Sequence, residues 1–258
     1  MAEAAALADQ LGCDELTPFA TSAVRSATNA EQILEHVHEK TGVRLTILSG
    51  EDEARITFLA VRRWYGWSAG RIINLDIGGG SLEMSTGVNE EPDCAFSLNL
   101  GAGRLTHNWF HTDPPERKKI NLLRDYIDAE LVEPTRIMRN YGSARLAVGT
   151  SKTFRTLARL TGAAPSSAGL HITRELTAPG LRQLIAFISR MTAVDRAELE
   201  GVSPSRSQQI VAGALVAEAA MRALNINKLE ICPWALREGI ILRRIEQGDG
   251  PVRKSGKA

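Results

Sequence analysis

Short apolar runs alternate along this chain with longer segments of helical spacing, the pattern of an α/β protein. Ile72, Ile73, Leu75 and Ile77 form a mostly β-branched strand that runs into Gly78, Gly79 and Gly80. After Ser81 the sequence LEMSTGV resumes apolar alternation, so the glycines join two strands instead of opening a helix. Further strands are predicted at 18–20, at VRLTIL (43–48), at 95–100, at ARLAVG (144–149) and at KLEIC (228–232). A helix at the amino terminus closes near Gly12, and a capping-box pattern at Thr28 to Glu31 opens another that Gly42 ends. Ser49, with Asp52 three residues on, caps a helix through Trp64. Helices are also predicted at 124–134, at 154–162 with Gly162 as terminator, at 180–191, at 208–224 and at 233–245. Ala212, Gly213 and Ala214 would let the fourth of these pack closely. Loops fall at Thr21–Arg25, around Pro114 and Pro115, and at 165–173.

Composition adds few constraints. A formal charge of +1, 43% hydrophobic residues and 24% charged ones describe an ordinary globular chain, so any polyanion must be met locally and nothing suggests nucleic acid or a membrane surface. Cys13, Cys94 and Cys232 are isolated, which fits a reducing compartment and argues against structural zinc. With no signal sequence and no membrane-length apolar run, the expected address is cytoplasmic.

Several residues could carry chemistry. Asp76, beside a triple glycine able to aim N–H groups at phosphate, suits Mg²⁺, and Glu83 could be a second carboxylate; capping a turn is the competing role for Asp76. Glu51, Asp52 and Glu53 crowd a first helical turn, where the helix dipole favours acids in any protein, yet their mutual repulsion could raise one toward a general base for water. Gly149, Thr150 and Ser151 lie between a strand and a helix, where hydroxyls and N–H groups could meet an anion, and Lys152 adds charge there; a capped helix is the plainer alternative. Arg25 could neutralise a phosphate or simply be solvated. His36 and His38 do not share a helix face, and His107 and His111 lack an acidic partner pattern, so neither pair is a metal site.

Together ATSAVR (20–25), SGEDEAR (49–55), DIGGGSLE (76–83), LGAGRLT (100–106) and ALREG (235–239) resemble, in order, the motifs of the Ppx/GppA family of exopolyphosphatases and guanosine pentaphosphate phosphohydrolases. The resemblance implies a two-domain actin-like ATPase (ribonuclease H-like) fold. It further implies residues 1–56 as the remnant of the first domain, 57–245 as the second, and 246–258 as a disordered tail. It assigns Glu53 to the attacking water, Asp76 and Glu83 to Mg²⁺, and Gly78, Gly79, Gly80, Ser81, Arg25, Gly149, Thr150 and Ser151 to substrate phosphates. The expected substrate is inorganic polyphosphate, with pppGpp as the alternative; a homodimer is an expectation of the family only. Asp52 stands where the family usually has Glu, and Ser151 and Lys152 where it commonly has further glycine. The family's opening D-x-G-S-N-S/T loop, the other jaw of its phosphate site, has no counterpart here, so the expectation is a first domain truncated at its amino terminus. A chain that binds phosphate without turnover is the alternative this departure raises.

Overall fold

A computed structural model describes residues 1–246. The tail expected at 246–258 lies outside them apart from Glu246, the last residue of the helix Leu236–Glu246. Two short strands, β1 (Phe19–Ala20) and β2 (Thr46–Ile47), pair in parallel. The remaining strands are β3 (Ile72–Ile77), β4 (Leu82–Gly87), β5 (Cys94–Leu98), β6 (Leu146–Gly149), β7 (Glu175–Thr177) and β8 (Lys228–Ile231). They form one sheet in the order β5-β4-β3-β6-β8-β7. The first three are an antiparallel meander, β6 and β8 continue from β3 in parallel, and β7 closes the edge antiparallel.

The two faces of β3 pack differently because successive side chains point opposite ways. Ile73, Leu75 and Ile77 join the main core with Leu105, Leu131, Phe154 and Leu215, under the helices Ala102–Trp109, Arg117–Arg139, Ser151–Leu160 and Ile210–Ala223. Ile72 instead meets Phe58 and Val61 of the helix Gly50–Tyr65, with Val148 and Cys232. Asp76 shares that second face. A Cβ on Gly213 would lie 2.7 Å from Thr153 Cγ2, so the small-residue stripe does bring two helices together.

Several elements differ from their sequence reading. The 43–48 strand shrinks to Thr46–Ile47. Ser22–Arg25, expected as loop, is a short helix, and the helix Ala30–Thr41 begins after Asn29 without the expected Thr28 cap. Ala102–Trp109 is a full helix, masked in sequence by the two glycines at its start. The three-residue β7 is too short to show alternation. The 56/57 boundary falls within the unbroken helix Gly50–Tyr65. Among the described residues no helix is long and apolar enough to cross a membrane.

Candidate active site

Strand register assembles the site. Asp76 on β3 is paired with Glu83 on β4, and Glu83 with Ser97 on β5, so the three side chains form a row on one face. Ser97 Oγ donates to Glu83 Oε1 at 2.8 Å. On the other flank Thr150, just past β6, donates its backbone N–H to Leu75 O at 2.9 Å and its hydroxyl to Asp76 Oδ2 at 2.6 Å. Ser49 caps the helix above, accepting from the Asp52 N–H at 3.0 Å, and so fixes where Glu53 emerges. Glu53 is only 8% exposed and ion-paired with Arg25, whose Nη1 also donates to Leu48 O at 2.7 Å. A Cβ on Gly50 would sit 2.2 Å from Ser97 Oγ, so a glycine there lets the helix start press onto β5.

The glycine loop works through proximity. None of Gly78, Gly79 and Gly80 is among the positive-φ glycines, so the loop turns without left-handed backbone. Their carbonyls are drawn back instead. Gly78 O accepts from Ala102 N at 3.0 Å, Gly79 O from Arg104 N at 2.8 Å, and Gly80 O from Arg104 Nε at 2.9 Å. No hydrogen bond among the described residues takes up the N–H groups of Gly79, Gly80 or Ser81. With carbonyls tied behind it, the loop is a nest of donors suited to an anion. A Cβ on Gly80 would lie 2.0 Å from Ser22 Oγ, which shows how closely the helix Ser22–Arg25 lies on the loop.

Three carboxyls resist ionising together. Burial pushes Glu83 up to about 8, and the charges of Asp76 and Glu53 add to this against the hydrogen bonds from Ser81 and Ser97. Burial also raises Asp76, opposed by Thr150 and by the charge of Arg155. Glu53 is raised by burial and by Asp76, with Arg25 pulling the other way. Since Glu83 is protonated in the fold but ionised in the unfolded chain between about pH 5 and 8, the native state there holds the extra proton. Cation-free protein is therefore expected to lose stability as pH rises through that window and to level off above it. Denaturant unfolding across pH 5–9 checks this; stability rising over the window would contradict it. Among the described residues no cluster of three or more His, Cys, Asp and Glu could hold a metal, so a cation here takes at most two carboxylates.

The structure brings Arg25, Glu53, Asp76, Glu83, Gly78–Ser81 and Thr150 close together, and it gives some of the expected residues other local duties. Gly149 supplies space, since a Cβ there would lie 2.8 Å from Phe154 Cγ and 2.9 Å from Leu229 Cδ1. Ser151 sits at φ +69°, where a side chain costs roughly 1–2 kcal/mol, and its buried hydroxyl has no partner. Ser151→Gly is accordingly expected to raise Tm by about 2–4 °C; a lower Tm in a thermal scan would show that the hydroxyl matters more than the strain. Unforeseen were Ser22, Ser97, Arg104 and Thr153. Thr153 Oγ1 donates to Ile77 O at 2.9 Å, tying the helix Ser151–Leu160 to the end of β3.

A meander joined to parallel strands, with a glycine hairpin and a second loop converging on one carboxylate row, defines an actin-like α/β protein. The chain belongs to the Ppx/GppA phosphatase family, a model of which matches residues 1–247. It is 68% identical over 249 residues to Exopolyphosphatase 1 of Mycobacterium tuberculosis strain H37Rv, covering 96% of this chain and 72% of that protein. Exopolyphosphatase 1 of Mycobacterium leprae is 64% identical, with 96% and 74% covered. The crystal structure of an exopolyphosphatase from Cytophaga hutchinsonii shares the fold with a TM-score of 0.85 at 21% identity, covering 95% of this chain and 79% of the other.

Proposed function

We propose that the protein is an exopolyphosphatase, hydrolysing the terminal phosphoanhydride bond of inorganic polyphosphate to release orthophosphate. The observation that carries this is the meeting of the Gly79–Ser81 loop, whose N–H groups have no acceptor among the described residues, with a buried carboxylate at Glu53 and the Asp76–Glu83 pair. High identity to proteins named Exopolyphosphatase 1 supports the same substrate.

Asp76 and Glu83 fit Mg²⁺, which favours one or two carboxylates completed by water and phosphate oxygens. Their raised pKa values are the electrostatic signature of two acids that a cation would relieve. Bound there, Mg²⁺ would neutralise charge on the terminal phosphoryl oxygens. The N–H groups of Gly79, Gly80 and Ser81 would hold those oxygens, and Arg25, ion-paired with Glu53, would share its guanidinium with the phosphate. Glu53 takes a proton from the attacking water as its oxygen bonds to the terminal phosphorus; the shortened chain leaves as a phosphate oxyanion. Positioning and fixed dipoles supply most of the catalysis in such transfers.

Because ligand carboxylates must be ionised, Mg²⁺ is expected to raise Tm more at pH 8 than at pH 6. An equal shift at both pH values would remove Glu83 from the cation site. Orthophosphate release from long-chain polyphosphate by the purified chain with Mg²⁺ tests the function. Release from pppGpp with none from polyphosphate would move the substrate to the nucleotide.

A further inference from the structure

Arg104 is the third residue of the helix Ala102–Trp109, whose first turn holds no acid. A cation there opposes the positive end of the helix, so helix formation gives no reason for an arginine at this position. Among the described residues its guanidinium makes no ion pair. It donates instead to two neutral oxygens, to Gly80 O from Nε at 2.9 Å and to Ser26 Oγ from Nη2 at 2.8 Å. Its backbone N–H donates to Gly79 O at 2.8 Å.

The two held carbonyls fix two amides. In a planar trans peptide the C=O and the following N–H point in opposite directions, and the Gly79–Gly80 and Gly80–Ser81 bonds are both trans. Holding Gly79 O and Gly80 O toward the helix therefore turns the N–H groups of Gly80 and Ser81 away from it. The two bonds differ in kind. Gly79 O meets a neutral amide, whereas Gly80 O meets a full charge, and a charge-assisted bond polarises the peptide so that its N–H becomes a stronger donor. The Ser81 N–H is thus the loop donor that a cation tunes. The other arm of the same guanidinium reaches Ser26, next in sequence to Arg25, which pairs with Glu53. One side chain spans the glycine loop and the segment that carries Arg25.

We propose that Arg104 is a positioning residue for phosphoryl transfer: it directs and strengthens the Ser81 N–H and keeps the Arg25 segment seated on the glycine loop, without touching substrate itself. The assignment rests on the exopolyphosphatase reading. Donors fixed in place before the reaction act chiefly on the transition state, so the loss on removing Arg104 belongs in kcat.

The test uses the full chain with Arg104→Met, which keeps an unbranched stem and removes both donors and the charge. On long-chain polyphosphate kcat is expected to fall about 10- to 100-fold while KM changes by less than about threefold. Ser26→Ala alone should lower kcat about threefold; added to Arg104→Met it should change nothing further, because the two side chains act as one unit. A second readout needs no turnover. With serine amides labelled by ¹⁵N, tripolyphosphate is expected to move the Ser81 amide proton downfield in the wild-type chain, and by less than half as much in Arg104→Met. Turnover of Arg104→Met within about threefold of wild type would overturn the proposal, as would an unchanged Ser81 response. A rise in KM as large as the fall in kcat, with a lowered unfolding midpoint, would overturn it in favour of a merely loosened loop. Additive losses in the double variant would overturn the link to the Arg25 segment. If Arg104→Met does not fold, Arg104→Gln, which keeps a neutral donor, is expected to show the same split between kcat and KM. Wild-type chain that releases no orthophosphate from polyphosphate overturns the underlying reading, and the Ser81 response then decides the role of Arg104 by itself.

Discussion

Glu53→Gln is expected to lower kcat for orthophosphate release by roughly 10²- to 10⁴-fold, the range for removal of a positioned general base. Glutamine keeps the shape and a hydrogen-bond acceptor for Arg25, so the fold and substrate binding should persist. The loss would fall on proton transfer from water. Burial raises the Glu53 carboxyl and so strengthens it as a base, while the ion pair with Arg25 pulls the other way. Glu51 and Asp52 do not share this environment. Both are exposed, with Glu51 paired to Arg55 and Asp52 held by the Ser49 cap, so the acidic cluster divides into one buried acid and two that serve the helix. Turnover within about threefold of wild type, measured at saturating polyphosphate with circular dichroism as a control on folding, would remove Glu53 from the chemistry.

Gly101→Ala should disrupt the site without touching a charged group. A Cβ at this position would lie 2.2 Å from both Gly80 C and Ser81 N. These are backbone atoms of the anion nest and cannot rotate aside as a side-chain tip can. Moving them would break the bonds from Ala102 N and Arg104 N that hold the loop's carbonyls back. Overpacking of this kind costs about 1–3 kcal/mol. The displaced donors should cost about 100-fold in kcat/KM as well. Gly79→Ala is the control for folding alone, because no protein atom lies within 4 Å of the Cβ it would add. Gly101→Ala unfolding at the same denaturant concentration as Gly79→Ala, with phosphate release equal to wild type, would contradict this account.

What could be read from sequence depended on how local the determining contact is. The Ser49 cap and the hairpin around Gly78–Ser81 were legible, since a cap needs only three-residue spacing and a hairpin only alternation on both sides of a turn. Asp76, Glu83 and Glu53 were legible as acids near the glycine loop. The Asp76–Glu83–Ser97 row depends on the register of three strands, and Glu53 reaches it from the start of the helix Gly50–Tyr65. Arg104 was not legible. It reaches Gly80 O across 24 residues and Ser26 Oγ across 78, and so joins the glycine loop to the Ser22–Arg25 segment through contacts that no local pattern records. The roles of the glycines were misread for a related reason. Triple glycine suggests backbone freedom, whereas here Gly80 and Gly101 serve as points where another segment comes too near for a Cβ. Ser151 shows the reverse case, a left-handed residue hidden behind an unremarkable helix start.

Hydrolysis of polyphosphate in water enriched in ¹⁸O, followed by mass analysis of the products, tests the central claim most directly. Water beside Glu53 attacking a terminal phosphorus held by Gly79–Ser81 should leave one label in each released orthophosphate and none at the new chain end. Label in the shortened chain would mean attack on the penultimate phosphorus, and absence of orthophosphate would mean no exopolyphosphatase; either result contradicts the account.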